Sequence, residues 1–261
     1  MSTTTDRSTI ESLRNRASEV GALVLSSTDT QLEVSLSILR TSGAVVPFAL
    51  HIECRKGLLT VHEVRSRHLP EFCPERHIND GGTFCLYWKP LDGIEIDSAE
   101  AATEWWSTVV AFLRLQLRAA KLRRWPNRRG RAHGNAAQYQ HAAEGFARQL
   151  GLEDDLLEGG LRVVKGGRGA FGRALRLLRR GHKILSVWQE VSRVVTVRRP
   201  CICGQGDPPK AMICCGDHAA VASQLVSSID KMQQLEAAFM DMYADRQCCG
   251  TMDECPLKTE A

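Results

Sequence analysis

Residues 77–86 read His-Ile-Asn-Asp-Gly-Gly-Thr-Phe-Cys-Leu, and what surrounds them decides how the N-terminal half of the chain folds. The decapeptide lies within an irregular stretch, residues 68–88, broken by Pro70, Pro74 and the pair Gly81-Gly82. Upstream, Leu32, Val34, Leu36 and Ile38 alternate with polar residues, and Val45–Cys54 and Leu58–Val64 form two further β-like runs. The links Arg40–Gly43 and Arg55–Gly57 are short and turn-like, so the pattern predicts an antiparallel meander, preceded by a helix over Thr9–Leu25. Downstream, Asp97-Ser98-Ala99-Glu100 offers a helix start, and Trp105, Val109, Phe112, Leu113 and Gln116 recur at helical spacing. That helix is expected to end near Lys121, ahead of Trp125-Pro126, because proline disfavours helical geometry in the residue before it. A polar loop this long on a compact sheet, with a cysteine in it, is a candidate functional segment.

The composition sets bounds on the rest. With 261 residues, 43% hydrophobic and 25% charged, the chain is neither disordered nor collagen-like and has room for one large or two small domains. The net charge of +4 conceals three unlike blocks. Residues 1–113 carry −5, residues 114–199 carry +14 and residues 200–261 carry −5. A basic block of that size suits an acidic protein surface or nucleic acid. The cluster Arg123, Arg124, Arg128, Arg129 and Arg131 has few interleaved aromatics for base stacking, so nucleic acid is the less favoured of the two partners. No basic segment followed by an apolar one opens the chain, and no stretch approaches 18 uncharged apolar residues, so the expectation is a cytoplasmic protein with no membrane partner. Seven of the ten cysteines follow residue 200 in short-spaced groups, which in a reducing compartment points to metal thiolates.

Cys85, in the apolar run Phe-Cys-Leu-Tyr-Trp, reads from composition alone either as a buried strand cysteine or as an accessible nucleophile. A zinc set of Cys73, His77 and Cys85 fits no common structural spacing and lacks a fourth ligand, which leaves Cys73 as a structural neighbour of the loop; Cys54 reads as core. The order helix, strands, His77-Ile78-Asn79, Gly81-Gly82, Cys85-Leu86 resembles the active-site region of ubiquitin-conjugating enzymes. Ile78 stands where that family has proline, and Asn79 precedes Cys85 by six residues, two fewer than in eukaryotic members, which is closer to diverged bacterial relatives. Trp125-Pro126 followed by His133-Gly134 adds a second likeness to those relatives. The resemblance implies an α+β ubiquitin-conjugating-like fold: N-terminal helix, antiparallel meander and C-terminal helices. It implies that Cys85 accepts a ubiquitin-like C-terminus as a thioester with no cofactor needed for catalysis. Asn79 and His77 become candidates for oxyanion support, with loop support the other role open to His77, and His133 becomes either a further site residue or a loop-stabilising one. The implied partners are a ubiquitin-like modifier, an adenylating activating enzyme, an acceptor protein and a modifier-removing metalloprotease, in a bacterial setting of antiviral defence. The competing reading, from another class, is a catalytically inactive conjugating-fold scaffold or a zinc-stabilised module that binds protein or nucleic acid.

The tail carries the second motif. Pro200-Cys201-Ile202-Cys203-Gly204-Gln205-Gly206, followed by Cys214-Cys215-Gly216, resembles the SEC-C zinc motif, which implies structural Zn2+ at Cys201, Cys203, Cys214 and Cys215, with His218 able to replace Cys215. Cys248, Cys249 and Cys255 form a further group of three sulfurs. A straight helix over Asp217–Asp245 would span about 42 Å, too far for the two groups to share one ion. Its stripe Leu225, Ile229, Met232, Leu235, Phe239 and Met242 reads as core or as a partner face. Gly167-Arg168-Gly169-Ala170-Phe171-Gly172 matches a dinucleotide-loop pattern that is common by chance, and Arg/Gly-rich flexibility is the simpler account. The expected organisation is therefore a conjugating-like domain over 1–150, a basic Gly/Arg-rich connector over 151–199, and a cysteine-rich zinc-binding tail with an amphipathic helix over 200–261.

Overall fold

The computed structural model describes residues 4–65, 67–126, 130 and 132–258, and the chain forms two compact units. The first comprises Met1–Asn127 together with Arg246–Ala261, and the second Arg128–Asp245. Arg128, Arg129 and Arg131 of the basic cluster lie outside the described residues.

The first unit opens with α1 (Thr4–Arg16), a 3-10 turn over Ala17–Val20, and β1 (Ala22–Ser27). The helix expected to reach Leu25 stops earlier, because Gly21 adopts a left-handed conformation (φ 74°) and its N–H bonds back to Ser18. Strands β2 (Gln31–Leu39), β3 (Val45–Arg55) and β4 (Leu58–Glu63) follow, and the four pair antiparallel in the order β1-β2-β3-β4. The alternation read in the sequence is the burial pattern. Leu32, Val34, Leu36 and Ile38 of β2 and Val46, Phe48, Leu50, Ile52 and Cys54 of β3 all face the core. A short helix, α2 (Lys89–Asp92), precedes the long α3 (Ala99–Leu122), which begins at Ser98, whose Oγ accepts the Ala101 N–H (3.1 Å). Trp105, Trp106, Val109, Phe112 and Leu113 bury one face of α3, and the Trp106 Nε1–H donates to the Leu13 carbonyl (2.9 Å), binding α3 to α1. Two buried carboxylates close turns around the sheet. Asp6 accepts the Gly57 N–H (2.8 Å), and Glu63 accepts those of His68 and Leu69, the latter at 2.9 Å.

The second unit holds α4 (Ala136–Gln149), α5 (Glu153–Leu157), a sheet of β5 (Leu161–Gly169), β6 (Gly172–Arg179), β7 (His182–Trp188) and β8 (Arg193–Val194), and α6 (His218–Asp241). The sheet is antiparallel in the order β5-β6-β7-β8. The expected connector over 151–199 is thus an ordered sheet. Its arginines hid the strand signal: in β6 Leu175 and Leu177 are buried while Arg176 between them is exposed, and Arg179 at the strand end pairs with the Asp155 carboxylate (2.6 Å). No break falls at Pro200 either, because Ala143 and Ala147 of α4, Leu175, Leu177 and Val187 of the sheet, and Val221, Leu225 and Ile229 of α6 share one core. The Gln233 side chain bonds both the N–H and the carbonyl of Val163 (2.9 and 3.2 Å), tying α6 to β5. The Gly169 and Gly172 positions close the β5–β6 hairpin. A Cβ at Gly169 would sit 2.5 Å from the Trp188 ring, and Gly172 has φ 85°. No helix follows the glycines, so the dinucleotide pattern is a tight hairpin.

Candidate active-site loop and metal centre

The segment after β4 runs without regular strands, yet its backbone is fixed at each step. Cys73 and Ile78 exchange both main-chain hydrogen bonds (3.0 Å each) around a 3-10 turn over Pro74–Arg76. His77 adopts a left-handed conformation (φ 54°), and its carbonyl accepts the Cys85 N–H (2.8 Å). The Phe84 N–H bonds to the Val61 carbonyl (2.9 Å), which fastens the loop to β4. Below it the Arg76 guanidinium is fully buried and donates through Nε to Gln116 Oε1 (2.8 Å) and through a terminal nitrogen to the Gln116 carbonyl (3.2 Å). Gln116, read in the sequence only as part of the apolar stripe of α3, is the partner that makes this buried charge tolerable.

Cys85 is half-buried and lines a groove of about 610 Å3 with Asn79, Thr83 and Tyr87 on its own loop, Lys89 at the start of α2 and Thr60 on β4. Burial pushes its thiol up from the ordinary value, so most of it is protonated at neutral pH. Asn79 is exposed. Its main-chain N–H bonds to the Thr83 carbonyl (2.8 Å), and its side-chain amide is 3.5 Å from Thr83 Oγ1, leaving the amide at the groove. The His77 ring packs on Trp125 (centroids 4.9 Å apart). The structure thus brings Cys85, Asn79 and the His77 backbone together on one loop. His133 makes its contacts in the second unit. Its Nδ1 is 2.9 Å from Glu236 Oε2, its main-chain N–H donates to the same carboxylate, and its ring stacks on Phe239 at 4.7 Å.

The second unit gathers Cys201, Cys203, Cys215 and His218, whose donor atoms all lie within 4.8 Å of one another. Cys203 Sγ and Cys215 Sγ are 3.8 Å apart, and His218 Nδ1 is 3.3 Å from the sulfurs of both Cys201 and Cys215. Zinc with bonds of about 2.3 Å to sulfur places two tetrahedral thiolates about 3.8 Å apart, so three thiolates and an imidazole here fit a structural Zn2+ site. Burial works against ionising Cys203, but the Gln205 N–H and the neighbouring Cys201, Cys215 and His218 outweigh it and bring the thiol down to about 7. Bound there, zinc would join the loop after β8 to the first turn of α6. The ligand set expected from the sequence changes in one position. Cys214 is exposed and outside the cluster, because it ends a 3-10 turn over Met212–Cys214 that turns Cys215 inward, and His218, the first residue of α6, supplies the fourth donor.

Comparison with known families agrees with both halves. Residues 21–127 match the family described as a prokaryotic E2 domain, and residues 132–257 match the one described as a cysteine-rich domain, C-terminal to the E2 domain. The chain is therefore an N-terminal E2-like ubiquitin-conjugating domain followed by a C-terminal cysteine-rich domain that holds a Cys3His cluster. No curated protein and no solved structure matches it. No helix among the described residues is long and apolar enough to cross a membrane.

Proposed function

We propose that the protein is a ubiquitin-conjugating-type transferase with Cys85 as its nucleophile. The observation that carries this reading is the half-buried thiol on the wall of a groove within the E2-like fold, which the exposed Asn79 lines as well. The Cys85 thiolate attacks the thioester carbonyl of a ubiquitin-like modifier held by an adenylating activating enzyme; the new carbon–sulfur bond forms and the activating enzyme's cysteine leaves as thiolate. In the second step an acceptor amine attacks the Cys85 thioester through an oxyanion stabilised by the Asn79 amide; the carbon–nitrogen bond forms, the carbon–sulfur bond breaks, and Cys85 leaves as thiolate and is reprotonated by the proton the amine gives up through solvent, while His77 keeps the loop in shape through its carbonyl and its packing on Trp125. The raised thiol is no obstacle, since a less acidic thiolate is intrinsically the stronger nucleophile. The pathway is placed in the bacterial cytoplasm, with a modifier-removing metalloprotease as a further partner and antiviral defence as the setting. The zinc site stabilises the second unit and takes no part in the chemistry.

The test uses the full chain with its activating enzyme, ATP and modifier, read on a non-reducing gel. The expected result is a reductant-sensitive adduct that Cys85→Ala abolishes. No adduct under any of these conditions, or an adduct that survives Cys85→Ala, overturns the proposal, the first in favour of a catalytically inactive scaffold.

A further inference from the structure

Three cysteines belong to the zinc cluster, Cys214 is exposed, Cys54 is buried against Asp6 (Sγ to Oδ1, 3.5 Å), and Cys85 lines the groove. The four that remain, Cys73, Cys248, Cys249 and Cys255, all fall in the first unit although 175 residues of chain separate Cys73 from Cys248. Their meeting is built by the tail. Arg123 donates to the Gly250 carbonyl (3.0 Å) and pairs with the Asp253 carboxylate (2.5 Å), and the Asp253 N–H returns to the Arg123 carbonyl (2.9 Å). Arg76 reaches Thr251 Oγ1 (3.3 Å), and Arg246 pairs with Asp80. Held this way, Cys249 Sγ lies 3.1 Å from Cys73 Sγ, and Cys255 engages the Cys248 side chain within electrostatic reach of Cys249.

The backbone around these sulfurs repeats the pattern of the zinc cluster. There, the Cys203 N–H points at the Cys201 sulfur and the Gln205 N–H at Cys203 Sγ (3.5 Å). In the first unit the Gly250 N–H donates to Cys248 Sγ (3.4 Å), and the Thr251 hydroxyl lies 3.0 Å from Cys249 Sγ. Gln205 and Gly250 each sit two residues beyond the cysteine they serve. A backbone N–H aimed at a sulfur suits a thiolate, because such a bond favours the charged form, whereas a neutral thiol is a weak acceptor. Four thiolates packed together without a cation would repel one another, so the arrangement calls for a thiophilic divalent ion.

We propose that Cys73, Cys248, Cys249 and Cys255 are the ligands of a second zinc, a four-thiolate site that fastens the C-terminal segment to the loop carrying Cys85. As described, the sulfurs stand in two pairs, and the Cys201 cluster is the one set among the described residues with every donor within 4.8 Å of the others. Rotating a cysteine between staggered χ1 wells moves its sulfur by about 3 Å, and the half-buried Cys248 and Cys249 are the side chains whose rotation the ion would require to complete a tetrahedron. The functional consequence follows from connectivity. Cys73 is hydrogen-bonded to Ile78, and the adjacent His77 carbonyl holds the Cys85 N–H, so the metal would stiffen the loop that carries Cys85.

The assay is metal content of the intact chain by mass spectrometry, with a thiol count in denaturant before and after reductant. Two zinc ions per chain are expected. Cys249→Ser and Cys255→Ser should each leave one, Cys215→Ser should remove the other, and Cys249→His, which keeps a ligand, should restore two. A wild-type chain that holds one zinc, with the same content in Cys249→Ser, overturns the proposal, as does a wild-type chain in which reductant exposes two further thiols, the mark of a Cys73–Cys249 disulfide. Neither readout depends on whether Cys85 forms a thioester.

Discussion

Cys201, Cys203, Cys215 and His218 come from 18 consecutive residues, whereas Cys85 takes its surroundings from its own loop, from β4 and from the packing of Trp125 and Gln116 behind it. The metal cluster is a local device: two glycine-bearing turns and the start of one helix suffice to bring its donors together. The thiol loop is a tertiary device with no regular strand of its own, and its shape is a sum of single hydrogen bonds to neighbours that must already be in place. One region should therefore fail all at once when its ion is lost, and the other by degrees as supports are removed.

The largest effect should come from stripping the metal. Structural zinc contributes about 10–16 kcal/mol in small domains, so a strong chelator or Cys215→Ser should abolish the cooperative thermal transition of the second unit. Calorimetry combined with near-ultraviolet circular dichroism would show it, with the Trp105 and Trp106 signals of the first unit retained; a second unit that melts unchanged without metal would make the cluster dispensable. Next, Trp106→Ala should destabilise the first unit by about 3–5 kcal/mol in denaturant titrations, since the ring is fully buried and its N–H is bonded to Leu13.

Asn79→Ala sharpens the comparison within the loop. It should leave the Cys85 thioester forming at close to the normal rate while slowing discharge to an amine by about 10²-fold, read as adduct lifetime with and without acceptor. Equal slowing of both steps would assign Asn79 to loop shape instead. The pH profile should be gentler. Because burial raises the Cys85 thiol, the thiolate fraction keeps growing through and beyond the normal thiol range, and thioester formation should speed up by about tenfold per pH unit between pH 7 and 8. A plateau starting below pH 7 would mean an ionised thiol. Zinc occupancy should fall in acid as protons displace the metal from its thiolates. The smallest effect belongs to Cys214→Ser, which should leave zinc content and unfolding midpoint unchanged, as Cys214 is exposed and outside the cluster.

Much of the first unit was legible because its elements follow the two simplest periods. The alternation in β2 and β3 and the helical stripe of α3 are the buried faces, and Ser98 marks the helix start. The β5–β8 sheet was not legible, since Arg176 and Arg179 beside Leu175 and Leu177 read equally as a flexible basic run until a second layer, α6, covers the leucines. In the zinc cluster, spacing pointed to the right turn but not to which of two adjacent cysteines faces inward; a single 3-10 turn decides between Cys214 and Cys215.

The sequence by itself determined the meander, the long helix behind it, the cysteine at the end of the Gly-Gly loop and the thiolate chemistry of the tail, because each depends on residues within one turn or one strand of each other. Only the tertiary structure decided that Arg246–Ala261 returns to the first unit, that the buried Arg76 finds Gln116, and that Cys249 meets Cys73. Those contacts join segments 40 to 176 residues apart, and no local period records which distant group will neutralise a buried charge or complete a set of sulfurs.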